Sequence, residues 1–200
     1  YAGFLMERTG LIAKLFRFAD SLVGWVPGGF AYATILSAVM FGAISGSSTA
    51  MAAAMGLIAY PEMIKRGYPV WMAAGVIATG GGIAILIPPS ITLILYGVLT
   101  EESIVKLFLA GVIPGIMLAL SDAVIVLTMA MIIKLPANKF KWTELRDAAK
   151  EALPALLMPV FVLGGLYGGV LTPTESGAGA CAYALIYGFF SMREKFFKEM

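Results

Sequence analysis

Two stretches of this chain put hydroxyls, glycines and prolines in the middle of apolar runs. Ser45-Gly46-Ser47-Ser48 divides the segment from Val26 to Pro61. Gly80-Gly81-Gly82 and Pro88-Pro89 divide the segment from Val70 to Thr100. Glycines weaken a helix, and prolines remove a donor and clash with the preceding turn. Each interruption therefore predicts two short helices meeting end to end. Two of the four ends are C-terminal, near Ile44 and Thr79, and carry unpaired carbonyls with partial negative charge. The other two are N-terminal, near Ser48 and Ser90, and carry unpaired N–H groups with partial positive charge. Carbonyls and Ser hydroxyls suit a hard cation such as Na⁺, whereas helix N-termini suit a carboxylate. Plainer readings exist for each feature alone. The small residues could serve only close helix packing, and the proline pair only a kink.

Composition says what must position these groups. Apolar residues make up 60% of the 200 residues and charged residues 13%, against roughly 25% charged in a soluble domain. No charge occurs between Asp20 and Glu62, between Arg66 and Glu101, or between Glu151 and Glu175. Uncharged runs longer than about 18 residues mark membrane spans, so the chain reads as an integral membrane protein. It has no His, which excludes His-based zinc sites and Ser-His-Asp chemistry. A single cysteine, Cys181, excludes an internal disulfide and reads as a small packed residue. A net charge of +2 gives no basis for nucleic-acid binding, and no Walker motif is present.

Residues 1–10 read as the end of a span, and the missing initiator Met suggests a piece of a longer polypeptide. Residues 11–26 form a cytoplasmic interfacial helix in the headgroup plane, with Lys14, Arg17 and Asp20 opposite Leu11, Ile12, Leu15 and Phe16. Residues 27–61 form a re-entrant hairpin, since Phe30–Ile44 and Thr49–Tyr60 each fall short of the roughly 20 residues that cross a bilayer. Two tilted spans joined by a Ser/Gly turn are the alternative. Residues 69–100 form one broken span, helical to about Thr79, unwound to Pro89 and helical again from Ser90. Its bare backbone must line a cavity, because it cannot face lipid. A span at 105–134, a cytoplasmic amphipathic helix at 139–153 stopped by Pro154, and spans at 154–171 and 176–192 follow. Thr174 is expected to cap the last, and Asp122 to pair with a neighbouring helix. This topology puts every cation except Lys106 near one face, with Trp25, Trp71 and Trp142 at that boundary.

Four motifs carry a resemblance: Phe41-Gly42-Ala43-Ile44-Ser45-Gly46-Ser47-Ser48-Thr49-Ala50, Ile85-Leu86-Ile87-Pro88-Pro89-Ser90-Ile91, Leu107 to Gly115, and Leu171-Thr172-Pro173-Thr174-Glu175. In order and spacing the chain resembles the large membrane subunit (DctM type) of tripartite ATP-independent periplasmic, or TRAP, transporters. The resemblance implies an all-α, elevator-type inverted-repeat transporter of the bacterial inner membrane. This chain would supply the N-terminal repeat and the start of the second. The resemblance also implies a small membrane subunit (DctQ type), a periplasmic solute-binding protein (DctP type) and a small carboxylate solute. Carried over by motif, one Na⁺ site would use Ser45 with the backbone at Ala84, Ile87 and Pro89. The family usually has Gly where this chain has Ala84; a carbonyl ligand survives that change, but a required positive φ would not. The solute would meet Ser47, Ser48, Thr49 and Ser90 at the two N-terminal ends.

The expected function is Na⁺-coupled symport of a small organic acid, with no enzymatic step. Another elevator-type divalent-anion/Na⁺ symporter, or a passive channel or structural subunit, is the alternative. A channel calls for a polar stripe along several spans, whereas polarity here sits at two mid-span breaks.

Overall fold

The computed structural model describes residues 10–198, with backbone only at Pro173 and 190–198. The span end expected at residues 1–10 lies outside this range apart from Gly10. Every regular element among the described residues is a helix. In chain order these are α1 (Leu11–Val23), α2 (Gly29–Ser45), α3 (Ser48–Lys65), α4 (Val70–Leu86), α5 (Ile91–Thr100), α6 (Ile104–Ile133), α7 (Trp142–Tyr167) and α8 (Pro173–Lys198). By length and composition α6 and α7 can each cross a membrane. So can α4 and α5 taken together, although they are bent by 42° at their junction.

The core lies between the α2–α3 hairpin and α4. Phe41, Met51, Met55, Met63 and Ile83 are buried there at 0–1% exposure. A second cluster joins Leu11 and Leu15 of α1 to Ala152, Ala155 and Met158 of α7 and Ala184 of α8. The apolar face of α1 therefore packs on protein. This corrects the expectation of a helix lying on lipid: Leu11, Ile12, Leu15, Phe16 and Ala19 are 0–6% exposed. A helix with one apolar face is satisfied by any apolar partner, and here α2, α7 and α8 supply it. On its polar face Arg17 reaches both carboxylate oxygens of Glu151 at 3.0 and 2.9 Å, and Lys14 donates to the Tyr187 hydroxyl at 3.3 Å.

Several boundaries differ from expectation: α3 runs through Pro61 to Lys65, and α8 starts at Pro173 and reaches Lys198. Gly80-Gly81-Gly82 are helical, and α4 runs on to Leu86. The glycines serve close approach instead of unwinding. A Cβ at Gly80 would lie 2.5 Å from the Met51 methyl, and one at Gly81 would lie 2.8 Å from Ser48 Oγ. Pro154 does not stop a helix either, since α7 passes through both Pro154 and Pro159. Prolines are tolerated in long apolar helices when neighbours satisfy the disturbed carbonyls. The Tyr183 hydroxyl of α8 also donates to Pro154 O at 2.6 Å, which ties α8 to α7 at this point.

The outward face of α6 is apolar: Ile113, Met117, Leu120, Val124 and Ile132 are 61–68% exposed. Trp25, Trp71 and Trp142 are also exposed.

Candidate functional site

The hairpin tip rests on the break between α4 and α5. At the tip Gly46 caps α2 in the left-handed region, with φ 59°, and its N–H donates to Gly42 O at 2.9 Å. Only glycine takes this conformation without penalty. Gly46 also abuts the Pro89 carbonyl, against which a Cβ would collide. Its own carbonyl accepts from Ile91 N–H at 3.4 Å, across the two elements. One turn earlier Gly42 meets Ala84, where a Cβ would lie 2.7 Å from the Ala84 Cα. The tip and the break are thus docked through backbone.

The break strips hydrogen-bond partners from α4. In a continuous helix, the N–H groups of residues 88 and 89 would bond the carbonyls of Ala84 and Ile85. Both residues are proline and carry no N–H. Ile87 N–H still reaches Ile83 O at 3.1 Å, so the helix keeps its pairing up to that point and loses it at the next two carbonyls. Ala84 is itself helical and fully buried. Positive φ among non-glycine residues occurs only at Glu101 and Lys134 within the described range. The alanine at position 84 therefore sits in a conformation any residue adopts.

The N-terminal ends are capped by side chains. Ser47, not Ser48, caps α3, accepting from Ala50 N–H at 3.4 Å and lying 3.2 Å from the Thr49 hydroxyl. Ser48 is the first residue of α3 and stands over Gly81. Ser90 caps α5, accepting from Leu93 N–H at 3.5 Å, and is fully buried.

A cavity of about 180 Å³ opens beside this junction, walled by the tip, the break, α6, α7 and α8. That is room for about six water volumes at roughly 30 Å³ each. Ser45, Pro89 and Ser90 line it. Ala84 and Ile87 do not: Ala84 is turned to Gly42, and the Ile87 side chain packs toward Gly115. Ser47, Ser48 and Thr49 also lie off this cavity, and Thr49 is exposed. The structure thus gathers Ser45, Pro89 and Ser90 from the two predicted sets. It keeps Ala84 and Ile87 behind them, and it separates the three residues at the start of α3. The opposite wall carries Ser176 and Cys181 of α8, neither of which sequence reasoning selected. The signal available was Ser176 one position beyond the Thr-Pro-Thr-Glu motif.

Outside the junction, a larger cavity of about 590 Å³ lies among Arg17, Asp20, Trp25, Lys139 and Glu144, where α1 meets the start of α7. It holds none of the predicted ligands. Its Asp20 carboxyl is raised above the usual range by burial, opposed by the Arg66 guanidinium. Two other acids depart from expectation. Glu175 joins a reciprocal cap with Thr172, not Thr174. Its Oε2 accepts from Thr172 N–H and hydroxyl at 2.8 Å each, and its N–H donates to Thr172 Oγ1 at 3.3 Å. Asp122 is buried at 7% exposure, and its Oδ2 has no hydrogen-bond partner. No cluster of three or more His, Cys, Asp or Glu that could hold a metal occurs among the described residues, and the oxygens that line the junction cavity come from hydroxyls and backbone.

Comparison with known proteins agrees with this architecture. The family described as "Tripartite ATP-independent periplasmic transporter, DctM component" matches residues 1–200. The C4-dicarboxylate TRAP transporter large permease protein DctM of Vibrio cholerae is 42% identical over 194 residues, which cover 96% of this chain and 43% of that protein. The isethionate TRAP transporter permease protein DctMQ of Oleidesulfovibrio alaskensis is 41% identical, over 96% of this chain and 31% of its own length. The ectoine TRAP transporter large permease protein TeaC of Halomonas elongata is 36% identical, over 94% and 44%. The chain spans less than half the length of these relatives.

Proposed function

This chain belongs to the DctM component family of tripartite ATP-independent periplasmic transporters, a family of membrane permease subunits and not of enzymes, and from that premise we propose that it forms part of a Na⁺-coupled symporter for a small organic solute. The observation that carries the proposal is the docking of Gly46 on Pro89, beside the Ala84 and Ile85 carbonyls, whose usual helical donors are replaced by Pro88 and Pro89. Carbonyl oxygens at the C-terminal ends of α2 and α4 hold the cation, with the Ser45 hydroxyl beside them. The solute occupies the adjoining cavity, where Ser90 and the N-terminal end of α5 meet its anionic group. Alternating access then moves the hairpin and broken helix together as an elevator, in an inverted repeat completed by the rest of the polypeptide. A re-entrant α2–α3 hairpin in the bacterial inner membrane fits this scheme, because its tip lies at the middle of the broken α4–α5 span.

Relatives named for C4-dicarboxylate, isethionate and ectoine point to a small charged solute. A small membrane subunit and a periplasmic solute-binding protein complete the assembly. The test is reconstitution of the complete transporter in proteoliposomes with a labelled solute drawn from these classes. Uptake should require an inward Na⁺ gradient. Undiminished uptake with K⁺ replacing Na⁺ on both sides contradicts the proposal.

A further inference from the structure

We propose that Ser176 of α8 is a solute-contacting residue that donates its hydroxyl to an acceptor oxygen of the solute held in the junction cavity. The inference rests on the function proposed above and assigns a residue on the wall opposite the hairpin tip. Ser176 lines the cavity across from Ser45, Pro89 and Ser90. It is 1% exposed, and its Oγ has no hydrogen-bond partner. A helical serine usually satisfies itself by donating to the carbonyl four residues back. Here that carbonyl, Thr172 O, accepts the Ser176 N–H at 2.9 Å, and the hydroxyl does not share it. A buried hydroxyl without a partner is destabilising. Alanine serves the same face of α8 one and two turns later, at Ala180 and Ala184, so packing alone does not call for an oxygen at 176. The surrounding wall is apolar, formed by Phe108, Met158 and Ala180, which leaves the cavity contents as the partner. With Ser90 on the facing wall, two hydroxyls could hold the two ends of one small anion. An ordered water offers the same chemistry, and the test separates the two.

The experiment uses the full-length permease with its small subunit and binding protein. Four probes are offered: succinate, isethionate, ectoine and 2,3-diketo-L-gulonate. The concentration of each that half-protects Cys181 from a maleimide is measured, since Cys181 lines the same cavity, along with the KM for uptake. For the best probe, Ser176→Ala should raise the half-protecting concentration about tenfold, the worth of one hydrogen bond to a charged group. The Na⁺ concentration for half-activation should stay unchanged and the melting temperature should not fall. Ser176→Cys, in a Cys181→Ala background, should itself be alkylated and be protected by the probe. Unchanged protection in Ser176→Ala, alongside weakened protection in Ser90→Ala, overturns the assignment, makes water the partner and leaves the cavity reading standing. Unchanged protection in both variants, or no transport of any probe, overturns the cavity reading as well.

Discussion

The Cα of Gly46 is seated so closely against the carbonyl oxygen of Pro89 that a side chain at position 46 would overlap it. The same residue holds φ at 59°. A left-handed conformation costs a non-glycine residue about 1–2 kcal/mol, and the steric overlap adds to that. Gly46→Ala should therefore lower the melting temperature of the complete transporter and abolish most uptake. Gly56 in α3 is the control, because nothing lies within 4 Å of a Cβ there. Gly56→Ala should be neutral or stabilising, by up to about 1 kcal/mol. Thermal melting with parallel uptake assays distinguishes the two; equal behaviour would mean the tip is not docked on the break.

Ser48 and Gly81 form a second close pair, across α3 and α4. Gly81→Ala would place a Cβ 2.8 Å from Ser48 Oγ and should destabilise the protein. Ser48→Ala removes the colliding oxygen, so the double variant should recover part of the loss, a non-additivity expected of touching residues. Ser48→Ala alone should leave solute affinity unchanged, because Ser48 lies off the cavity. A raised KM in that variant would return Ser48 to the solute site.

Arg17 and Glu151 join α1 to the polar start of α7, with both side chains 42–56% exposed. Exposed pairs are worth about 0.2–1 kcal/mol. A double-mutant cycle with Ala at both positions should give a coupling energy in that range that shrinks as salt is added. A coupling of several kcal/mol would show that the bridge is shielded from water in the assembled transporter.

The two interruptions were legible in the sequence because a small polar run and a proline pair fall in the middle of consecutive uncharged segments, where each alone would have had a plainer reading. Their detail was not. Gly80-Gly81-Gly82 looked like an unwound stretch, yet glycine also permits close helix contact, and only the positions of Met51 and Ser48 decide which applies. Pro154 looked like a helix stop, yet α7 runs through it, because a long apolar helix packed among neighbours tolerates proline. The apolar face of α1 was correctly read as a face, but a periodicity cannot say whether lipid or protein covers it. Ser176 was passed over for a related reason: its place beside the Thr-Pro-Thr-Glu motif is a weak signal, and a single serine acquires meaning only when its partners prove to be missing.

Asp20 supplies a pH test. Burial raises its carboxyl above the usual range, with Glu144 and Glu62 acting in the same direction and Arg66 opposing. The unfolded chain therefore loses this proton at lower pH than the folded one. Stability should fall as pH rises from the ordinary carboxylate range through the raised value. Asp20→Asn removes that loss and can still accept from Asn138, which donates to the Asp20 carboxylate at 3.4 Å. The variant should melt at a higher temperature than the parent at pH 7, with the difference vanishing under acid conditions. A lower melting temperature at pH 7 would mean that the charge is stabilising, through Arg66.

The claim that the hairpin tip and the broken helix together hold Na⁺ is tested most directly by the Na⁺ dependence of uptake in the complete transporter. Ser45→Ala removes a hydroxyl beside the proposed ion, and Pro88→Ala restores an N–H able to occupy the Ala84 carbonyl. Each should raise the Na⁺ concentration for half-maximal uptake about tenfold or more, while the solute concentration that half-protects Cys181 at saturating Na⁺ stays within about twofold. Tenfold corresponds to about 1.4 kcal/mol, within reach of one lost charge-assisted contact. Na⁺ activation curves for both variants that superimpose on the parent would contradict the account.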